Sequence, residues 1–324
     1  MNNTVNIDTG LLLKHKVINF IHSLMLLSGM VLLLSLLGWS IAGEQGLKWT
    51  IFMGVVMLFL APKISPSLIL FLYGARPLSF DEVPALYSIL KELCKRAGLR
   101  YVPRLYYIPT DVPNAFTTGR KNNAVITVTA GLLDSLTLRE ITGVLAHEVS
   151  HIWHNDLWIM NLSDVISRLT FIFSITGQFL LLLNLPFVLF TNYRIPWLPV
   201  FILIFAPTIN MLLQLALSRT REFDADLGAA ILTGDPEGLA MALEKMERYQ
   251  SGLLSRIFLP GYKDPHPSLL RTHPSTEERI KRLMSLVRER PLYEPLYNMV
   301  EYFVPGYLTS ARRRPRWRIG GLWY

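Results

Sequence analysis

Two histidines four positions apart enclose a glutamate in the run His147-Glu148-Val149-Ser150-His151. On a helix, side chains at i and i+4 stand one above the other on the same face. Both imidazoles can then reach one metal ion, and Glu148, one position round from His147, is placed to touch a water held on that ion. Zinc in a hydrolytic site takes three protein ligands and keeps a fourth position for water. His154 continues the histidine face at i+7, but it lies about 10 Å along the helix axis from His147 and is expected to be an interfacial or hydrogen-bonded histidine. The better third ligand is Glu222, in Ser218-Arg219-Thr220-Arg221-Glu222-Phe223-Asp224-Ala225-Asp226. There Glu222 and Asp226 share a helix face: Glu222 to bind zinc, Asp226 to accept the spare N–H of a ligand histidine. Asp224 falls on another face and is expected in solvent. The set amounts to one zinc ion per chain and hydrolysis of a peptide bond by activated water, with Glu148 as the base.

The elements that must position these groups are partly readable. A helix is expected from Leu138 to about Trp153, with Thr137 as its N-cap and Glu140 in the capping-box position. Val83 to Ala97 carries apolar residues at helical spacing and is followed by Gly98, a terminator. Arg104 to Ile108 and Ala124 to Thr129 are short β-branched or aromatic runs bounded by Pro, Asn and Gly, and they predict strands of a small sheet. His273-Pro274 precedes a further helix start in which Ser275 and Glu278 form a capping box.

The composition points to lipid. Of 324 residues, 51% are apolar and only 17% charged, against about 25% charged in ordinary soluble domains. Runs from Val17 to Ala42, from Trp49 to about Ala61, from Leu169 to Phe190 and from Trp197 to Leu217 are long and apolar enough to predict four membrane helices. Pro207, Asn210 and Gln214 interrupt the last of them. The net charge of +8 is read as cationic loops at a membrane surface, since no nucleic-acid-binding signature accompanies it. The single cysteine, Cys94, excludes an internal disulfide and a multi-cysteine zinc site. Lys91, Lys95, Arg96, Arg100, Arg104, Arg120 and Lys121 follow the second span, whereas the two outer connections carry Lys48 and Arg194 alone. Basic residues stay on the cytoplasmic side, so both polar segments and both termini are expected there.

The expected fold is therefore a mainly α membrane protein, with four transmembrane helices and a cytoplasmic zincin-like α+β catalytic domain. Its divisions are 1–73 (two spans), 74–165 (small sheet and His-Glu-x-x-His helix), 166–217 (a transmembrane hairpin), 218–290 (glutamate-ligand helix and His-Pro block) and 291–324 (a basic tail, expected to lie on acidic lipid).

In the order and spacing of its motifs the sequence resembles the HtpX-type membrane metalloproteases, relatives of the CaaX-processing prenyl endopeptidases. The likeness rests on Asn114-Ala115-Phe116, His147-Glu148-Val149-Ser150-His151, Arg221-Glu222-Phe223-Asp224-Ala225-Asp226, and His273-Pro274 followed by Glu278-Arg279. The resemblance implies that Asn114, Ala115 and Phe116 lie beside the strand along which an extended substrate pairs. It also implies that His273 and Arg279 face the reacting carbonyl and stabilise the oxyanion. The substrates it implies are misfolded or unassembled membrane proteins, cut at the cytoplasmic face of the plasma membrane in quality control. Two other readings remain. A processing protease for lipidated peptides needs a wide intramembrane chamber, which four spans are too few to enclose. A metal-binding scaffold or transporter with a purely structural zinc has no need of Glu148.

Overall fold

The computed structural model describes residues 9–60, 70–190, 197–257 and 274–286. His273, Lys63, the connection containing Arg194 and the basic tail lie outside the described residues. The elements in chain order are α1 (Thr9–Leu60), β1 (Arg76–Pro77), α2 (Pro84–Arg96), β2 (Arg104–Ile108), β3 (Ala115–Thr118), β4 (Val125–Thr129), α3 (Ala130–Ser135), α4 (Leu138–His154), α5 (Asp156–Leu183), α6 (Leu185–Phe190), α7 (Trp197–Thr233), α8 (Pro236–Ile257) and α9 (Thr276–Met284).

Three of the described helices, α1, α5 and α7, are long and apolar enough to cross a membrane. The first is not one rod. Gly43 has φ 57° and ψ −137° and Ala42 is also non-helical, a backbone that only a residue without Cβ adopts readily. The chain doubles back there: a Cβ built on Gly38 would lie 2.9 Å from the carbonyl oxygen of Gly46, whereas eight residues along a straight helix span about 12 Å. Met30 and Leu34 before the turn share a core cluster with Met53 and Met57 after it. The first arm of α1 runs antiparallel to α7, with Asn19 beside Asp224, Gly29 beside Leu213 and Leu37 beside Leu203 and Ala206.

Pro207 sits inside α7 without ending it. Proline has no N–H to give, so the carbonyl of Leu203 loses its helical partner. Ser174 and Gln178 of α5 donate to that carbonyl instead. Two turns on, Ser167 of α5 donates to the side chain of Gln214 and accepts from that of Asn210. The polar residues that interrupt this span thus face another helix, where they are satisfied, while Phe171, Phe179, Leu198 and Phe201 are exposed. Lipid-facing surfaces demand this division.

The polar part is built on a four-stranded sheet in the order β1-β2-β4-β3, with β2 and β4 parallel and the outer pairs antiparallel. Its core joins Leu86, Ile89 and Leu93 of α2, Ile126 and Val128 of β4, Ile141, Leu145 and Val149 of α4, and Ala229 and Leu232 of α7. The capping box at Thr137 and Glu140 is present, with each side chain bonded to the other's backbone N–H. Helix α2 and strand β2 occupy the expected residues within one position, and Ser275 caps α9 as expected. Strand β3 was not read as a strand. The divisions at 165/166 and 217/218 fall inside continuous helices, since α5 begins at Asp156 and α7 runs from Trp197 to Thr233.

Candidate metal centre and catalytic cleft

Helix α4 is buried along nearly its whole length, including His147 and Glu148. It ends at Asn155, whose left-handed φ of 59° lets the chain turn directly into α5; asparagine is among the few side chains that tolerate this backbone. Helix α7 crosses α4 at Gly228, where a Cβ would come within 2.9 Å of the Ser150 Cβ. Only glycine lets the two helices meet so closely, and that contact brings Glu222 onto the histidine face of α4.

There the donor atoms of His147, His151 and Glu222 all lie within 4.8 Å of one another. The two Nε2 atoms are 3.2 Å apart, His147 Nε2 is 3.4 Å from Glu222 Oε2, and His151 Nε2 is 3.9 Å from Glu222 Oε1. Ligands at about 2.0–2.1 Å from a tetrahedral zinc stand about 3.3 Å apart. The donor set and its spacing therefore fit zinc.

Each of the two histidines is backed by a carboxylate, and each carboxylate is held by an arginine. His147 Nδ1 lies 3.0 Å from Asp226 Oδ1, and Arg279 clasps Asp226 with two bonds, Nε to Oδ2 at 2.8 Å and Nη2 to Oδ1 at 2.6 Å. Arg279 also reaches Glu222, at 3.3 Å. His151 Nδ1 lies 2.9 Å from Asp156 Oδ2, and Arg221 contacts the other oxygen of Asp156 at 3.2 Å. Burial alone would lower the pKa of His147, but Asp226 and Glu222 beside it more than offset this and lift it to about 10. Burial also opposes the charge on Arg279, yet Asp226, Glu222 and Glu148 hold it above the ordinary arginine value. Glu148 accepts a 2.6 Å hydrogen bond from the hydroxyl of Thr117 on β3.

All of these groups except Asp226, which lies behind His147, line a cavity of about 380 Å³. Its walls include Asn114 to Thr117 of the β3 edge, Val144 of α4, Leu157 and Met160 of α5, Leu239, Leu243 and Met246 of α8, and Pro274, Thr276 and Arg279. Of the residues singled out in the sequence, the structure brings together Asn114, Ala115, Phe116, His147, Glu148, His151, Glu222, Asp226 and Arg279. His154 is hydrogen-bonded by Ser150 and stands apart from the donors.

The structure corrects the expectation for Asp224, which is buried rather than solvated. It pairs with Arg221 and accepts from the Asn19 amide, because the face of α7 that carries Asp224 meets α1 and not water. Sequence reasoning missed Asp156, Arg221 and Thr117. Asp156 carried one signal, an acid just past the histidine helix and next to a turn-forming asparagine; the partners of Arg221 and Thr117 are set only by tertiary contact.

A His-Glu-x-x-His helix and a carboxylate from a second helix that together could hold a metal ion, beside helices of membrane length, are the features of a membrane metallopeptidase. Residues 82–287 match Peptidase family M48, and the chain belongs to that family. It is 34% identical over 290 residues to the protease HtpX homolog of Paraburkholderia phytofirmans, covering 83% of this chain and 98% of the relative. It is likewise 34% identical to that of Ralstonia nicotianae, with 83% and 97% covered. The resemblance read from the motifs is borne out: this is a hydrolase of the HtpX-type metalloproteases. Among solved structures, Ste24p of S. mikatae is similar at 23% identity and a TM-score of 0.47, covering 83% of this chain and 66% of that one.

Proposed function

We propose that the chain is a zinc-dependent endopeptidase of the cell membrane that cuts misfolded or unassembled membrane proteins at the cytoplasmic face. The observation that carries this reading is the convergence of His147, His151 and Glu222 beside Glu148 on the floor of a cleft bordered by an edge strand. Zinc, when bound, supplies a water acidic enough to attack at neutral pH and a Lewis acid for the carbonyl. Glu148 takes the proton of the attacking water and returns it to the leaving amine. Thr117 keeps the Glu148 carboxylate turned toward the cleft. Strand β3 ends the sheet, so an extended peptide can add to it through main-chain hydrogen bonds, with Asn114, Ala115 and Phe116 along its path.

Asp226 orients His147. Arg279 contacts Asp226 through Nε and Nη2 and Glu222 through Nη1 and so holds the ligand set in place; His273, with a remaining N–H of Arg279, is the proposed oxyanion donor. The apolar lining from α4, α5 and α8 suits bulky apolar side chains on the substrate, which unfolded membrane segments offer. The two arms of α1 and the pair α5 and α7 are read as two hairpins through the bilayer. Exposed Trp39 and Trp49 flank the turn of α1 and exposed Trp197 begins α7, at the opposite end of that helix from Glu222, where an interfacial belt belongs. The basic residues around the sheet support a cleft on the cytoplasmic side.

The test is cleavage in detergent of two peptides that differ only in having leucine or aspartate flanking one bond. Preferential cutting of the leucine peptide is expected. Equal cutting of both would refute the assigned cleft.

A further inference from the structure

We infer that the first membrane helix is part of the metal centre: Asn19 and Ser23 of α1 position Arg221, and through Asp156 they set the imidazole of His151. The inference rests on the proposed metal site and extends it to residues outside the segment that matches the family, which begins at residue 82.

The two arginine arms behind the ligands are built differently. Arg279 grips Asp226 with two near-parallel bonds, a fork that fixes both groups by its own geometry. Arg221 touches Asp156 through Nη1 alone, at 3.2 Å, and among the described residues its Nε has no hydrogen-bond partner. One contact does not orient a planar guanidinium. The rest of its orientation comes from Nη2, which donates to Ser23 Oγ at 2.6 Å and pairs with Asp224.

Both of those partners are themselves fixed by α1. The Ser23 hydroxyl donates to the Asn19 carbonyl at 2.9 Å, which turns its lone pairs toward Arg221. The Asn19 amide donates to the oxygen of Asp224 that Arg221 leaves free. Asn19 and Ser23 are one turn apart on α1, and both are buried, as are Arg221, Asp224 and Asp156. No water competes for these bonds, so a change at Ser23 must be absorbed by Arg221. Its one bond to Asp156 is then the first to give, and Asp156 is the acceptor at His151 Nδ1. Asn19 and Ser23 touch neither metal nor substrate. They are positioning residues.

The experiment uses the full chain in detergent, loaded with cobalt(II) for its visible spectrum and with zinc for affinity by chelator competition. Ser23→Ala and Asn19→Leu are each expected to weaken zinc binding about tenfold, at the lower end of the 10- to 100-fold range for groups behind a metal ligand. Both should alter the cobalt bands while the circular dichroism stays that of wild type. In an Asp156→Asn background the same substitutions should add almost nothing, because the path to His151 is already cut. Wild-type zinc affinity and cobalt bands in both variants, or losses that add in full to that of Asp156→Asn, would overturn the inference. Wild-type protein without tetrahedral cobalt bands would instead overturn the metal site itself, and this inference with it.

Discussion

The Thr117 hydroxyl donates a 2.6 Å hydrogen bond to Glu148 Oε2, tying the strand at the rim of the cleft to the carboxylate on its floor. In the proposed mechanism a peptide that pairs with β3 is thereby registered against Glu148. Glu148 is not among the converging donor atoms, so base and ligand functions can be separated by mutation. Glu148→Gln is expected to bind zinc as wild type does and to lose about 100- to 10,000-fold in kcat. Thr117→Val keeps shape but removes a bond to a charged group, for which a loss of about tenfold in kcat with little change in KM is expected. Casein cleavage by the purified variants, set beside their zinc content, checks both.

The acids of α7 should separate by role. Glu222→Ala removes a donor and is expected to abolish stoichiometric zinc. Asp226→Asn removes the acceptor behind His147 and should weaken zinc about 10- to 100-fold. Asp224→Ala leaves the buried Arg221 short of a counter-charge, so it should cost stability, about 3–5 kcal/mol, and, through Arg221 and Asp156, weaken zinc about as much as Asn19→Leu does, about tenfold. Zinc content and thermal melting of the three variants test this, and an Asp224→Ala protein as stable as wild type would contradict the buried pairing.

Zinc uptake should depend steeply on pH. Without metal, Asp226 and Glu222 keep His147 protonated up to about pH 10, and the proton must leave before Nε2 can bind an ion. Apparent zinc affinity is therefore expected to rise about tenfold per pH unit from about pH 6 to about pH 8. A histidine of ordinary pKa would instead give a plateau above about pH 7.

Cys94 offers a built-in control for topology. It is buried in α2, and burial pushes its thiol up to about 12, so the native protein should not react with a maleimide until it is unfolded. A cysteine introduced at Gln45, in the exposed turn of α1, should be labelled in intact cells by a reagent that does not cross membranes. One at Lys121, in the turn between β3 and β4, should be protected until the cells are opened. The reverse pattern would invert the proposed orientation.

The parts of this site that could be read from sequence are those fixed by local spacing. Thr137 and Glu140 start α4, three residues separate His147 from His151, and the same interval joins Glu222 to Asp226. Each is a helix property that needs no neighbour. What escaped is tertiary. Ala115–Thr118 is too short and too polar to announce a strand, and it is one because β4 pairs with it. A helical wheel correctly set Asp224 off the ligand face but could not say that this face meets α1. The prolines and amides of α7 read as weaknesses in a span until α5 supplied Ser167, Ser174 and Gln178 to satisfy them.

If His147, His151 and Glu222 hold the zinc ion on which peptide cleavage depends, metal and activity must rise and fall together. The most direct measurement follows zinc content and casein cleavage together on one detergent-purified sample, as isolated, after chelation, and after zinc is returned. Expected are close to one zinc per chain, no cleavage once it is removed, recovery in proportion to the zinc rebound, and neither zinc nor cleavage in Glu222→Ala. Undiminished cleavage by the zinc-free chain would contradict that dependence.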